Sequence, residues 1–141
     1  MNNNYAQQFA IAFENKLNAL EKNAKSGTIY DIEVETGNKF DRIVGSYTME
    51  YQRSNPNFVK AQRMSHAFVE KATGRLIKCA TWKAPAKRGG DLASYINLSN
   101  PAEFLAAVEV ADFAGGYLYY RNENISRFTE AVARHEAGLP A

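Results

Sequence analysis

HAFVEKATGRLIKCATWKAPAKR, His66 to Arg88, decides how the rest of the chain folds. Two runs of alternating or β-branched residues, Met64 to Glu70 and Leu76 to Trp82, flank Thr73-Gly74, where glycine can take the φ > 0 that a tight turn requires. The pattern predicts a β-hairpin. Its second run delivers Trp82, the only tryptophan, into a segment stiffened by Pro85 and carrying the cations Lys83, Lys87 and Arg88. An aromatic plate beside fixed positive charge suits a nucleotide, because a base can stack on the ring while a phosphate pairs with the cations.

Upstream of the hairpin, Phe9, Phe13, Leu17 and Leu20 recur at spacings of three and four between Tyr5 and Lys25, which predicts an amphipathic helix with Gly27 as its stop. Thr28 to Glu35 then alternates, with Tyr30, Ile32 and Val34 on one face and Asp31, Glu33 and Glu35 on the other, as in a half-buried strand. Gly37-Asn38 turns the chain into a further strand, Lys39 to Tyr47. Ile43 and Tyr47 share one side of it, and Phe40, Arg42 and Val44 share the other. Bulk on both sides implies that both are covered. Thr48 to Gln62 reads as a long loop around Ser54-Asn55-Pro56-Asn57, with Arg63 just beyond it.

Downstream, Arg88-Gly89-Gly90-Asp91 reads first as a plain turn, although paired glycines also permit close backbone approach to a phosphate. Ser99-Asn100-Pro101-Ala102-Glu103 is a helix start, with a capping asparagine, proline at the first position and glutamate where a capping box closes. This helix should run to about Asp112, with Phe104, Leu105, Val108 and Ala111 inward. Tyr117 to Arg121, YLYYR, reads as a short aromatic strand. Ser126 to Glu136, with Phe128, Val132 and Ala133 at helical spacing, reads as a C-terminal helix. The elements sum to an α+β fold: an N-terminal helix packed on an antiparallel β-sheet built from hairpins, with one or two further short helices.

A chain of 141 residues with 45% hydrophobic and 23% charged content has the make-up of a globular protein of one domain, 1–141. A net charge of +2 is too small for a general nucleic-acid binder, so an anion site must be local. The lone Cys79 cannot form an internal disulfide and belongs to no zinc-like spacing, which fits a reducing interior. No apolar run approaches the ~20 residues of a membrane helix. A cytoplasmic protein without membrane contact is the expectation.

The chemistry favours binding over catalysis. His66 and His135 are the only histidines, and neither lies near a nucleophile motif. Asp31, Glu33 and Glu35 on alternating strand positions form a solvated face. Trp82 can serve either as a stacking platform or as a core residue. Arg121 can grip a phosphate or be an ordinary charge at a strand end. His66 reads as a satisfied strand histidine.

The run FVEKATGRLIKCATWKAPAK, an arginine-glycine turn and then GGYLYYR resemble a family of small phage-encoded proteins with a K-x-A-x-W-K-A-P-A-K core and a closing G-x-Y-L-x-R. The resemblance covers roughly Tyr30 to Arg121, and its specific part is Trp82 to Lys87. It extends to the first type of Thoeris anti-defence protein, a phage sponge that sequesters cyclic ADP-ribose signals; relatives of that type also hold cyclic oligonucleotides. The resemblance implies a helix plus antiparallel sheet assembled into dimers or hexamers, no cofactor, no catalysis, and a pocket between subunits in the cytoplasm of an infected bacterial host. It makes Trp82 the stacking residue and Arg121 the late arginine and strengthens Lys87; Lys83, Arg88 and Arg63 are further candidate cations on their charge and position alone. Where relatives have arginine-glycine-asparagine, this chain has Arg88-Gly89-Gly90-Asp91, so Asp91 is a candidate polar contact that would repel phosphate. A phage structural or host-takeover protein working through protein contacts is the alternative.

Overall fold

The computed structural model describes residues 4–53, 55, 57, 63–86 and 95–138. The order is α1 (Tyr5–Ala24), β1 (Thr28–Thr36), β2 (Phe40–Met49), a single turn α2 (Glu50–Arg53), β3 (Met64–Glu70), β4 (Arg75–Ile77), β5 (Ile96–Asn97), α3 (Pro101–Val110), a 3-10 turn (Gly116–Leu118) and α4 (Asn122–Glu136). The five strands form one antiparallel sheet in sequence order, β1-β2-β3-β4-β5. This is the expected α+β architecture, with each strand hydrogen-bonded to its chain neighbour.

The three long helices gather on one side of the sheet. Ala6, Phe9, Ala10, Phe13 and Leu17 of α1 are buried together with Ile32, Ile43, Ala67, Val69, Leu76 and Ile96. Leu20 belongs to the predicted stripe but is exposed, one turn beyond the last buried residue. The helix also ends sooner than expected. Lys25, not Gly27, takes the left-handed cap, with φ 56°, and its N–H closes on the carbonyl of Lys22 at 3.1 Å.

Because β1 is an edge strand, its outer hydrogen-bonding groups need cover. Two polar residues of α1 supply it: the Asn18 amide accepts from Tyr30 N at 2.8 Å and donates to Tyr30 O at 3.1 Å, and Glu14 accepts from Ile32 N at 2.8 Å. At Gly45 of β2 a side chain would lie 2.8 Å from the Phe113 ring, so glycine lets that ring settle on the sheet.

The predicted hairpin is half realised. Its first strand and turn form, with Gly74 at φ 82° and its N–H bonded to Glu70 O at 2.8 Å. The second strand stops at Ile77, not Trp82. From Lys78 the backbone bonds to itself instead of the sheet: Ala86 N to Lys78 O at 2.8 Å, and Ala80 N to Ala84 O at 2.9 Å. A lone bridge joins Cys79 to Pro85, which has no N–H to extend a ladder.

Other expectations are corrected nearby. β2 runs on to Met49 and is followed by α2, where the sequence predicts loop from Thr48 to Gln62; residues 54, 56 and 58–62 lie outside the described residues. YLYYR is not a strand. Tyr117 and Leu118 are buried in the 3-10 turn, which Asp112 caps by accepting from Gly116 N at 2.9 Å and Tyr117 N at 3.2 Å. Asn124 fastens the far side through the carbonyls of Gly116 and Tyr119.

In α3 the side chain of Asn100 accepts from Glu103 N at 3.0 Å, as read, while the Glu103 carboxylate reaches Asn97 N instead of closing back on Asn100. Ala106 and Ala107 are its buried residues and Leu105 is exposed, because small side chains let α3 lie close to both α1 and α4. Its C-terminal carbonyls at Glu109 and Ala111 both accept from the Lys16 ammonium at 2.6 Å, a cation at the negative end of the helix dipole. Helix α4 starts at Asn122, four residues earlier than Ser126, and buries Phe128 and Ala131, while Ala133 is exposed. Glu109 ties it to α3 through Arg134 and His135.

Candidate functional site

The chemistry-bearing side chains collect on the sheet face turned away from α1. Alternation along β1 sends Asp31, Glu33 and Glu35 to that face, and the β1–β2 register sets Glu35 directly opposite Arg42. Arg42 in turn faces Phe68 of β3, and Phe68 faces Ile77 of β4. One row across four strands therefore reads carboxylate, guanidinium, phenyl, isoleucine.

The 78–86 loop folds back over this row. Its fixed points are the internal bonds already described and a 3.2 Å contact between Cys79 Sγ and Ser65 Oγ. Trp82 sits at its tip and lies over Arg42, whose guanidinium carbon is 4.5 Å from the ring centroid and whose Nη1 donates to the Trp82 carbonyl at 2.8 Å. The ring remains 38% exposed. Trp82 is therefore backed by a cation and is not a core residue. Burial pushes the Cys79 thiol up, so this cysteine anchors the loop as a neutral thiol.

The carboxylate row is not the solvated face expected of it. Glu35 pairs with both Arg42 and Arg63, Asp31 pairs with Arg53, and Arg63 also lies 3.8 Å from Glu33. Hydrogen bonds from Arg42 and then Arg63 hold the Glu35 carboxyl below the usual range. Arg63 extends past Glu35 to within 5.8 Å of the Trp82 centroid. Beside this cluster lies a cleft of about 360 Å³, bounded by Glu35, Arg42, Lys39, Phe40, Phe68, Lys83 and Pro85 together with the β1–β2 turn.

Of the residues expected from the sequence, Trp82, Lys83 and Arg63 meet here. Lys87, Arg88 and Asp91 lie outside the described residues. Arg121 is elsewhere: it precedes α4, and its guanidinium lies 5.3 Å from the Tyr119 ring, which Lys78 also approaches at 4.6 Å. No described contact joins Arg121 to Trp82. The segment before it turns into the core as a 3-10 turn, so within one chain Arg121 is not brought to Trp82. Arg42 and Glu35 are the residues sequence reading missed. The Gly37-Asn38 turn carried their signal, since counting back from a short hairpin turn pairs them across the strands.

His66 plays a different part on the opposite side. The Phe113 carbonyl can only accept, so the Nδ1 at 3.1 Å carries the proton, and Nε2 accepts from the Tyr117 hydroxyl at 2.8 Å. Burial lowers its pKa to about 4, so this satisfied strand histidine is also a neutral core residue. Among the described residues no group of three or more His, Cys, Asp or Glu side chains could hold a metal ion, and no helix is long and apolar enough to cross a membrane.

These features define an α+β protein whose sheet carries a helix-packed apolar face and an aromatic-cationic face. Residues 2–120 match the model of a family of unknown function, DUF7717, and the chain belongs to that family. No curated protein and no solved structure matches it.

Proposed function

We propose that this protein binds a small cyclic nucleotide, a cyclic ADP-ribose isomer or a cyclic oligonucleotide, and holds it without chemical change as a phage-encoded sponge for an immune signal. The observation that carries this reading is the position of Trp82: the sole tryptophan stands outside the core, backed by Arg42 and beside a cleft bounded by Lys39 and Lys83. A base stacked on such a ring gains about 1–3 kcal/mol, and the flanking cations suit a phosphate. The resemblance of the Trp82 to Lys87 segment to anti-defence sponges points the same way. A single sheet face offers one wall of a pocket, so the site is completed by a second copy in a dimer or hexamer. The setting is the cytoplasm of the infected host.

The test is to incubate the protein with cyclic ADP-ribose isomers and cyclic di- and trinucleotides, heat-denature it, and analyse what is released. Intact ligand recovered from the protein is the expected result, with quenching of the single tryptophan on binding. Retention of no nucleotide removes this reading, and recovery of a cleaved product replaces it with an enzyme. Trp82→Ala should weaken binding about tenfold or more, the equivalent of a lost stack.

A second reading, a phage structural or host-takeover protein acting through protein contacts, draws on the exposed tyrosines Tyr119 and Tyr120. No described contact joins those two residues to Trp82, Arg42 or Glu35, so Tyr119→Ala with Tyr120→Ala separates the readings. Nucleotide retention unchanged in that variant is the outcome the sponge requires.

A further inference from the structure

We propose that Glu35 is a resident anion occupying a phosphate seat between Arg42 and Arg63, and that a ligand phosphate binds by displacing it. The inference deepens the nucleotide reading above and rests on it for the ligand's identity.

Two guanidiniums converge on this one carboxylate, Arg42 from the facing strand and Arg63 from the residue just before β3. Convergent arginines are the usual seat for an oxyanion, because their planar donor forks match carboxylate and phosphate oxygens alike. The fit to Glu35 is incomplete. Arg42 gives Nη2 to Glu35 and Nη1 to the Trp82 carbonyl, while its buried Nε makes no hydrogen bond among the described residues. A diphosphate, with more oxygens and more charge than a carboxylate, can engage donors that Glu35 leaves idle.

The exchange also has a route. Glu35 and Arg42 both border the cleft, together with Lys39 and Lys83, and the Glu35 side chain is 36% exposed, so it can swing out without unpacking the core. Arg42 lies under Trp82, so an oxyanion held there has the aromatic plate for its base within reach. In the free protein Glu35 neutralises the cations, and a singly charged or weakly held anion gains little by replacing it. The ligand class is therefore a diphosphate carrying an aromatic base, as in a cyclic ADP-ribose isomer, in preference to the singly charged phosphodiesters of a cyclic oligonucleotide.

The test compares the wild-type chain with Glu35→Gln and Asp31→Asn by calorimetric titration with inorganic pyrophosphate. Asp31→Asn removes the same charge from the same sheet face but leaves Arg42 and Arg63 untouched, since Asp31 pairs with Arg53. Glu35→Gln should bind pyrophosphate about tenfold more tightly than wild type while Asp31→Asn changes by about twofold or less, as expected when one competing carboxylate is removed from the seat. Equal affinity of Glu35→Gln and wild type overturns the proposal, as does an equal gain in Asp31→Asn. Glu35→Ala, checked for a cooperative melt, repeats the measurement if the glutamine variant does not fold.

A parallel titration with cyclic ADP-ribose keeps the two conclusions apart. A gain for pyrophosphate without any cyclic nucleotide bound supports the seat and removes the sponge. Cyclic ADP-ribose bound equally by wild type and Glu35→Gln keeps the sponge and overturns the seat.

Discussion

The two faces of the sheet are built from the same strands yet obey different physics. On the helix side Phe9, Phe13, Ile43, Leu76 and Tyr117 are buried, and His66, buried with them, is kept neutral with both nitrogens bonded. On the other side Asp31, Glu33, Glu35, Arg42, Arg53 and Arg63 remain partly in water and pair with one another, and a partly exposed tryptophan lies over Arg42. The first face removes apolar area from water and so carries stability. The second keeps charges solvated, where pairing contributes little to folding and is free to be exchanged. A face whose ion pairs are nearly neutral to stability can bind and release an anion without unfolding anything.

The contrast can be broken by substitution, beginning with the inner face. Phe13→Ala should destabilise the protein by about 3–5 kcal/mol in urea unfolding, through lost burial and the cavity left among Phe9 and His66. A cost below about 1 kcal/mol would show that the helix layer is not what holds the sheet.

A proton applied to His66 should act next. Its folded pKa, about 4, lies below the ordinary value of 6.5, so the unfolded chain takes up a proton that the native state refuses. Stability is complete above pH 6.5 and is lost as the pH falls toward 4, by about 2 kcal/mol between pH 6.5 and 5. Glu35 and Glu109, both held low by arginines, enter only at more acid pH. Denaturant titrations across that window should show the slope in wild type and its loss in His66→Gln.

Outer-face changes should be smaller. Trp82→Ala should cost about 1 kcal/mol, the scale of an exposed cation–π contact, while removing the tryptophan signal of ligand binding. A cost as large as that of Phe13→Ala would make Trp82 a structural residue and collapse the distinction between the faces. Smallest of all, Asp31→Asn should shift stability by about 0.5 kcal/mol, and added salt should abolish even that difference in thermal melts.

Much of this was legible along the chain. The apolar spacing of Phe9, Phe13 and Leu17, the alternation from Tyr30 to Val34, and the Asn100-Pro101 start each report a local preference, and each element formed where its pattern lay. Reading failed where a segment could satisfy its hydrogen bonds in more than one way. Leu76 to Trp82 has strand-like residues, but the backbone from Lys78 to Ala86 bonds internally. YLYYR has strand-like tyrosines, but Asp112 and Asn124 wind its first half into a 3-10 turn. Both failures moved the site: the first lifted Trp82 onto the outer face, and the second carried Arg121 away from it.

By itself the sequence determined the α+β class, the helix-backed sheet and the presence of a tryptophan beside cations. Those follow from periodicity and composition, which act between residues close in the chain. Only the tertiary structure decided which cations the tryptophan meets. Arg42 and Arg63 reach Trp82 and Glu35 because strand register and a folded-back loop bring together residues separated by up to 47 positions, from Glu35 to Trp82, and no local preference records such a pairing.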